Sequence, residues 1–211
     1  MKTQIKPTIR ALKEQLPLME AFYTIQGEGF YQGRAAYFIR LGGCDVGCVW
    51  CDVKESWEAE NHPIISVEEI VEEAQKYPAK LVVVTGGEPF IYNLELLTET
   101  LGNLGIQRNI ETSGAYPISG EWDWICFSPK KFKPALDEFY QKAHELKVVI
   151  YHASDLEWAE GFAKKMHKEA VLFLQPEWSK QKELLPLIID YVKKYPHWRI
   201  SLQTHKFMDI P

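Results

Sequence analysis

From residue 66 onward the sequence alternates short apolar runs with amphipathic segments, and no other feature limits the fold as much. "SVEEIVEEAQKY" opens with Ser66 and Glu69, the capping-box arrangement that satisfies the first free N–H groups of a helix. "KLVVVTGG" (80–87) is a continuous β-branched run, as in a strand covered on both faces. "LELLTETLGNLG" (94–105) reads as a helix stopped by Gly105, and "RNIETSG" (108–114), "WDWICFS" (122–128) and "ELKVVIYH" (145–152) read as strands. A helix "SDLEWAEGFAKKMH" follows, with Ser154 and Glu157 again at capping-box spacing, then a strand "AVLFLQP" (170–176). The long helix pattern "KELLPLIIDYVKKY" predicts a kink or a late start at Pro186, and "WRISLQTH" (198–205) is the last expected strand.

Such alternation implies parallel pairing through right-handed crossovers, hence an α/β fold. A complete eightfold barrel takes about 250 residues. The 211 residues here leave room for about six strand–helix units. The expected architecture is a partial (β/α) barrel with a mainly parallel, curved sheet. It should form one domain over residues 1–211, with 1–17 uninformative. Reactive groups in such folds collect at the C-terminal ends of strands. That rule selects "TGGEP", "ETSG", "SPK", "QPE" and "QTHK".

Composition excludes several classes. An apolar fraction of 46% and a charged fraction of 25% are those of a globular chain, and no apolar run approaches the roughly 20 residues of a membrane span. The opening "MKTQIKPTIRALKEQLPL" has no apolar signal core, so a cytoplasmic location is expected. The formal charge of −5 and the scattering of lysines among glutamates argue against a nucleic-acid surface and for a small-molecule substrate.

Three of the four cysteines, Cys44, Cys48 and Cys51, fall within "GGCDVGCVWCD" at Cys-x3-Cys-x2-Cys spacing. Clustered thiols in a reducing compartment indicate a metal rather than disulfides. A four-iron cluster normally takes four cysteines, so three would leave one iron open to a ligand. The alternative is a zinc site of three cysteines and a histidine, although the second cysteine pair usual in such sites is absent. Cys126, alone in an apolar run, reads as a small buried residue. After the next strand, Gly86 and Gly87 would let backbone approach a ligand, with Glu88 as an acceptor for an ammonium group.

The cysteine spacing, Trp50 before the last cysteine and the strand ending in "TGGEP" together resemble the radical S-adenosylmethionine (SAM) superfamily. "EAFYTIQGEGFYQGRAAYFIRLGGC", "WCD", "IETSG", "DWICFSPK", "ELKVVI", "QPE" and "WRISLQTHKFMDIP" are similar, in matching order, to the 7-carboxy-7-deazaguanine synthase family. The resemblance runs from about residue 18 to the C-terminus. It implies a modified radical SAM core with a 4Fe-4S cluster on Cys44, Cys48 and Cys51. The implied reaction is ring contraction of 6-carboxy-5,6,7,8-tetrahydropterin to 7-carboxy-7-deazaguanine with release of ammonia, upstream of queuosine and other 7-deazapurines. It also implies an electron donor such as a flavodoxin or ferredoxin, and a homodimer.

Carried over by position, the resemblance places Ile25, Gln26, Gly27 and Glu28 on the pterin. An amide and a carboxylate on a glycine-containing loop suit its row of donors and acceptors. Arg40 would meet the substrate carboxylate, Thr85 and His205 the substrate, with Lys206 near the pocket. The terminal Pro211 would reach the substrate with backbone or carboxylate, so that a C-terminal tag would be damaging. Gly86, Gly87 and Glu88 would hold SAM together with Ser128, Pro129, Lys130, Gln175, Pro176, Glu177 and Trp178. One position departs from the family. After "WCD" its members commonly carry a hydroxyl that helps hold Mg²⁺, and here the residue is Val53. Asp52, Glu55 and Ser56 are the oxygen-bearing neighbours, and weakened or absent Mg²⁺ dependence is expected. Two rivals remain at this stage. A glycyl-radical activase would share the cysteine loop but not "QGEG" or "QTHK", and a zinc-stabilised binding module would lack catalysis.

Overall fold

The β-branched runs do pair, and they pair into one sheet. The computed structural model describes residues 15–211, so most of the segment read as uninformative lies outside the described residues. Strands β1 (Gln15–Ile25), β2 (Ala35–Leu41) and β3 (Ile64–Ser66) precede the expected alternation. Then come α1 (Val67–Gln75), β4 (Leu81–Gly86), α2 (Glu95–Asn103), β5 (Gln107–Thr112), β6 (Trp124–Phe127) and α3 (Phe139–Lys142). The chain continues with β7 (Glu145–Ile150), α4 (Asp155–Ala163), β8 (Val171–Pro176), α5 (Gln181–Lys194), β9 (Trp198–Ile200) and α6 (Thr204–Met208). The sheet order is β3-β1-β2-β4-β5-β6-β7-β8-β9, antiparallel at β1 and parallel from β2 to β9. It is open, as a partial barrel requires.

Side chains along a strand alternate between faces, and here that alternation separates two environments. Tyr37, Ile39, Leu41, Val82, Val84, Ile110, Ile125, Phe127, Leu146, Val148, Ile150 and Leu174 point into the main core. There they meet Ile70 and Val71 of α1, Leu97 and Leu101 of α2, Leu156 of α4 and Ile188 of α5. Each fully buried aliphatic side chain contributes roughly 1.5–3 kcal/mol, so this helix-covered face holds the fold together. The opposite face carries a small apolar cluster of Ala36, Phe38, Leu81 and Val83. Its other positions include Thr85, Glu111, Lys147 and Gln175, all lining one cavity. Leu81–Val84 is buried on both faces, as its unbroken apolar run predicts.

Several local expectations change in the structure. The Ser66 capping box forms, with Glu69 N–H donating to Ser66 Oγ at 3.2 Å and Ser66 N–H to Glu69 Oε2 at 3.3 Å. The one expected at Ser154 does not. Ser154 is itself helical (φ −65°, ψ −15°), and the Asp155 carboxylate instead accepts from the N–H groups of Tyr151 and His152. Between β5 and β6 the chain crosses without a helix, and α3 has only four residues. Helix α5 starts at Gln181 and runs through Pro186, so Pro186 does not delay it. The last strand stops at Ile200 rather than reaching 205. Thr204 donates to Gly27 O from both N–H (3.0 Å) and Oγ1 (2.9 Å), which pulls the chain off the sheet into α6. No helix among the described residues is long and apolar enough to cross a membrane.

Candidate active site

At the C-terminal ends of the parallel strands lies a cavity of about 270 Å³. Of the residues singled out from the sequence, it gathers Ile25, Gln26, Gly27, Glu28, Arg40, Cys44, Cys48, Cys51, Asp52, Thr85, Gly86, Gly87, Glu88, Ser128, Lys130, Gln175, Glu177, Trp178, His205, Lys206 and Pro211. Pro129 and Pro176 are not among the lining residues; Pro129 follows the end of β6, and Pro176 is the last residue of β8, paired with Ile150. The cavity also takes in Glu111, Ser113, Lys147 and Gln203, to which the sequence reading assigns no role. Part of the signal was available: Glu145 and Lys147 are charged residues in the otherwise apolar run of β7, and Glu111 shares with them the face away from the helices.

The cysteine loop is held at its root. Gly43 N–H donates to Ser56 O at 2.7 Å and Cys44 N–H to Trp57 O at 2.9 Å, closing a loop that contains Cys44, Cys48 and Cys51 as free thiols. Burial pushes the Cys44 thiol up and the Cys48 thiol up to about 11, and a metal held by this loop would supply the positive charge that favours their thiolates. Among the described residues, no group of three or more His, Cys, Asp or Glu side chains stands together as a single-ion site.

The two glycines of "TGGEP" are required by the protein itself. A Cβ on Gly87 would stand 2.2 Å from Gly43 O and 2.8 Å from Cys44 Cβ. One on Gly86, at φ +137°, would stand 2.1 Å from Leu41 O. The gap they leave is filled by two hydrogen bonds, Gly87 N–H to Leu41 O and Glu88 N–H to Gly43 O, both 2.9 Å. Close approach to a ligand, expected from the sequence, is thus preceded by close approach to the cysteine loop. Glu88 is almost wholly buried, and its carboxylate accepts from Thr112 Oγ1 (2.7 Å), Ser113 N–H (2.8 Å), Ser113 Oγ and Phe90 N–H (3.3 Å). These donors fill both oxygens, so an ammonium ligand would feel the charge of Glu88 without finding a free lone pair on it.

On the other side of the cavity, Lys147 Nζ donates to Glu28 Oε2 at 2.5 Å and to Glu111 Oε2 at 2.8 Å. Burial pushes the Glu28 carboxyl up, but Lys147 and the hydrogen bond from Gln203 outweigh it and bring it down to about 2. For Lys147, burial works against its charge and the surrounding acidic groups prevail, holding it well above its ordinary value. Burial holds the His205 imidazole below its usual value, so it is neutral at neutral pH. It likewise lowers Lys130, which donates to Ser128 O and Oγ and sits 5.5 Å from the Trp50 ring centre.

Arg40 spends Nε on Glu20 Oε1 at 2.6 Å, which leaves the two terminal nitrogens of its fork for a carboxylate. Pro211 O accepts from Thr24 Oγ1 at 3.2 Å, which fixes that end of the chain beside Ile25. Around Val53 the oxygen donors are largely engaged. Asp52 Oδ2 pairs with Lys206 Nζ at 2.9 Å, and the Ser56 hydroxyl donates to Val53 O at 2.7 Å. Val53 brings no side-chain oxygen, so a divalent ion here would rely on Asp52, whose Oδ2 already meets Lys206, and on water and ligand oxygens.

Comparison with known proteins places the chain in a family. The model of the Radical SAM superfamily matches residues 38–154. The 7-carboxy-7-deazaguanine synthase of Flavobacterium psychrophilum is 60% identical over 94% of both chains. Those of Synechocystis and Escherichia coli K12 are 44% and 33% identical, over 97% and 93% of this chain and 98% and 99% of theirs. The crystal structure of QueE from Escherichia coli superposes with a TM-score of 0.82 at 31% identity, covering 93% of this chain and 99% of that one.

Proposed function

Because the chain belongs to the radical SAM superfamily and, within it, to the family of the 7-carboxy-7-deazaguanine synthases, we propose that its cavity converts 6-carboxy-5,6,7,8-tetrahydropterin to 7-carboxy-7-deazaguanine with loss of ammonia. The observation that carries this reading is the meeting in one cavity of the closed cysteine loop with Gln26, Glu28, Arg40, Thr85 and His205. A loop of three free thiols suits a 4Fe-4S cluster with one open iron. When bound, the cluster and SAM supply hydrogen abstraction by a carbon radical.

The chain's own residues bind, orient and exclude water. Gln26, Glu28 and Thr85 address the ring, the Arg40 fork takes the substrate carboxylate, and neutral His205 adds one donor or acceptor. Gly86, Gly87, Ser128, Lys130, Gln175, Glu177 and Trp178 form the SAM side, with Glu88 acting through the β4 and β5 loops it ties together. Mg²⁺ contributes little, because Val53 offers no oxygen and Asp52 is paired with Lys206. The protein works as a single domain in a cytoplasmic homodimer that takes its electron from a flavodoxin or ferredoxin and engages neither nucleic acid nor membrane.

Anaerobic incubation of reconstituted, untagged protein with SAM, dithionite and the pterin tests the reading by mass spectrometry. The expected product is lighter than the substrate by ammonia and forms over many turnovers without matching loss of SAM. SAM cleavage with intact pterin would remove the substrate assignment. Zinc without iron after anaerobic preparation would remove the cluster.

A further inference from the structure

The "ELKVVI" strand puts two charged residues, Glu145 and Lys147, on the inner face of β7, and the function just described uses neither. Lys147 is only 3% exposed. Its two bonds belong to a closed ring. Lys147 Nζ donates to Glu28 Oε2 (2.5 Å), Glu28 N–H to Gln26 Oε1 (3.0 Å), Gln26 Nε2 to Glu111 Oε1 (3.1 Å), and Lys147 Nζ again to Glu111 Oε2 (2.8 Å). The ring decides which way the Gln26 amide faces, since its oxygen must meet an N–H and its nitrogen a carboxylate. Lys147 is its only cation, set between two carboxylates that would otherwise repel each other in a dry site.

We propose that Lys147 is the positioning residue for ring recognition: by donating to both Glu28 and Glu111 it holds the two carboxylates at a fixed spacing and, through Glu111, orients Gln26. These side chains then face the donor edge of a 2-amino-4-oxo heterocycle as matched partners. This rests on the pterin reading above. Its reach is specificity, because a carboxylate that took up a proton would present a donor to a donor.

Other groups bear on the pair. Glu145 lies on the same strand, with Oε1 3.5 Å from Cys126 Sγ and Oε2 bonded to Trp124 Nε1 and Phe30 N–H. Burial raises Glu145, which weakens it as a competing countercharge. His205 faces Glu28, Lys130 adds positive charge from the β6 loop, and Asp52 and Lys206 lie beyond Gln203, which donates to both Glu28 and Asp52.

The test uses Lys147→Ala in the reconstituted holoenzyme, with iron and sulfide content as the control for folding. The KM for the pterin is expected to rise about tenfold or more while kcat changes less than about threefold. As the pH falls, KM should climb steeply in the variant and stay level in the wild type, because the unshielded carboxylates share a proton. Propylammonium, the piece removed, should restore the wild-type KM. If the single variant does not fold, Lys147→Met with Glu111→Gln removes one charge of each sign. That protein should show the raised KM without the new pH dependence. A folded Lys147→Ala or double variant with wild-type KM overturns the proposal. A wild-type enzyme that converts SAM but ignores the pterin overturns the functional reading, and this inference falls with it.

Discussion

Replacing Glu88 by Gln separates a structural carboxylate from a ligand-binding one. Each oxygen of Glu88 accepts two donors: Thr112 Oγ1 and Phe90 N–H on Oε1, Ser113 N–H and Ser113 Oγ on Oε2. An amide must put –NH₂ in place of one oxygen. At Oε2 it meets the Ser113 N–H, and at Oε1 the Phe90 N–H. In either case the hydroxyl can turn to accept, but the backbone N–H cannot. The cheaper choice is Oε1, where the lost bond is the longer one at 3.3 Å. One buried unpaired N–H costs about 1–3 kcal/mol, and replacing a charged acceptor by a neutral one at the remaining bonds adds about 1 kcal/mol. The expected total is about 2–4 kcal/mol. With a urea m-value of about 2 kcal/mol/M, the unfolding midpoint should fall by about 1–2 M at unchanged m. Equilibrium unfolding followed by circular dichroism reads this directly. A midpoint within about 0.3 M of wild type, together with a large loss of SAM affinity, would refute the reasoning and return Glu88 to the ligand.

Gly87→Ala drives a Cβ into Gly43 O and Cys44 Cβ, so the cysteine loop must shift; a cost of about 1–3 kcal/mol and reduced iron per chain are expected, read by unfolding and iron analysis. Wild-type iron content in that variant would count against the stitch. Chelating divalent ions should leave turnover nearly intact, and Val53→Thr should make it respond to added Mg²⁺; a steep loss in the unmodified protein would sink this. For Glu28 the folded value near 2 lies below the unfolded value near 4.5. The unfolded chain therefore binds the proton first as the pH falls. The contribution of Glu28, up to about 3 kcal/mol, is complete above about pH 4.5 and lost towards about pH 2. Urea titrations across that range should show a steeper slope for wild type than for Glu28→Gln, and equal slopes would contradict it.

Periodicity made the parallel part of the fold legible. Leu81–Val84 and the 145–150 run could hardly be anything but strands. β1 was harder to read, because exposed Glu20 and half-buried Tyr23 and Thr24 interrupt its apolar pattern. Ser154 misled because capping-box spacing says nothing about whether the first residue is already helical. The cysteines, the Gln26–Glu28 loop and the strand ends were readable as local motifs. The partners of Glu88 were not, since Thr112 and Ser113 lie 24 and 25 residues away and meet it only through the β4–β5 pairing. Lys147 and Glu111 fall between these cases, being visible as charges on the inner face yet meaningful only once the neighbouring strand is known.

The closed root of the cysteine loop bears on how the protein acquires its metal. Bringing the ends of a segment of about a dozen residues together costs conformational entropy whichever interaction closes it. Here the backbone bonds Gly43–Ser56 and Cys44–Trp57, with the Glu88–Gly43 contact from β4, make that closure during folding. A cluster bound by the three cysteines as proposed would then have only the short arcs between Cys44, Cys48 and Cys51 left to order. Its assembly would follow folding, and a protein stripped of it by oxygen would keep a scaffold ready to be recharged.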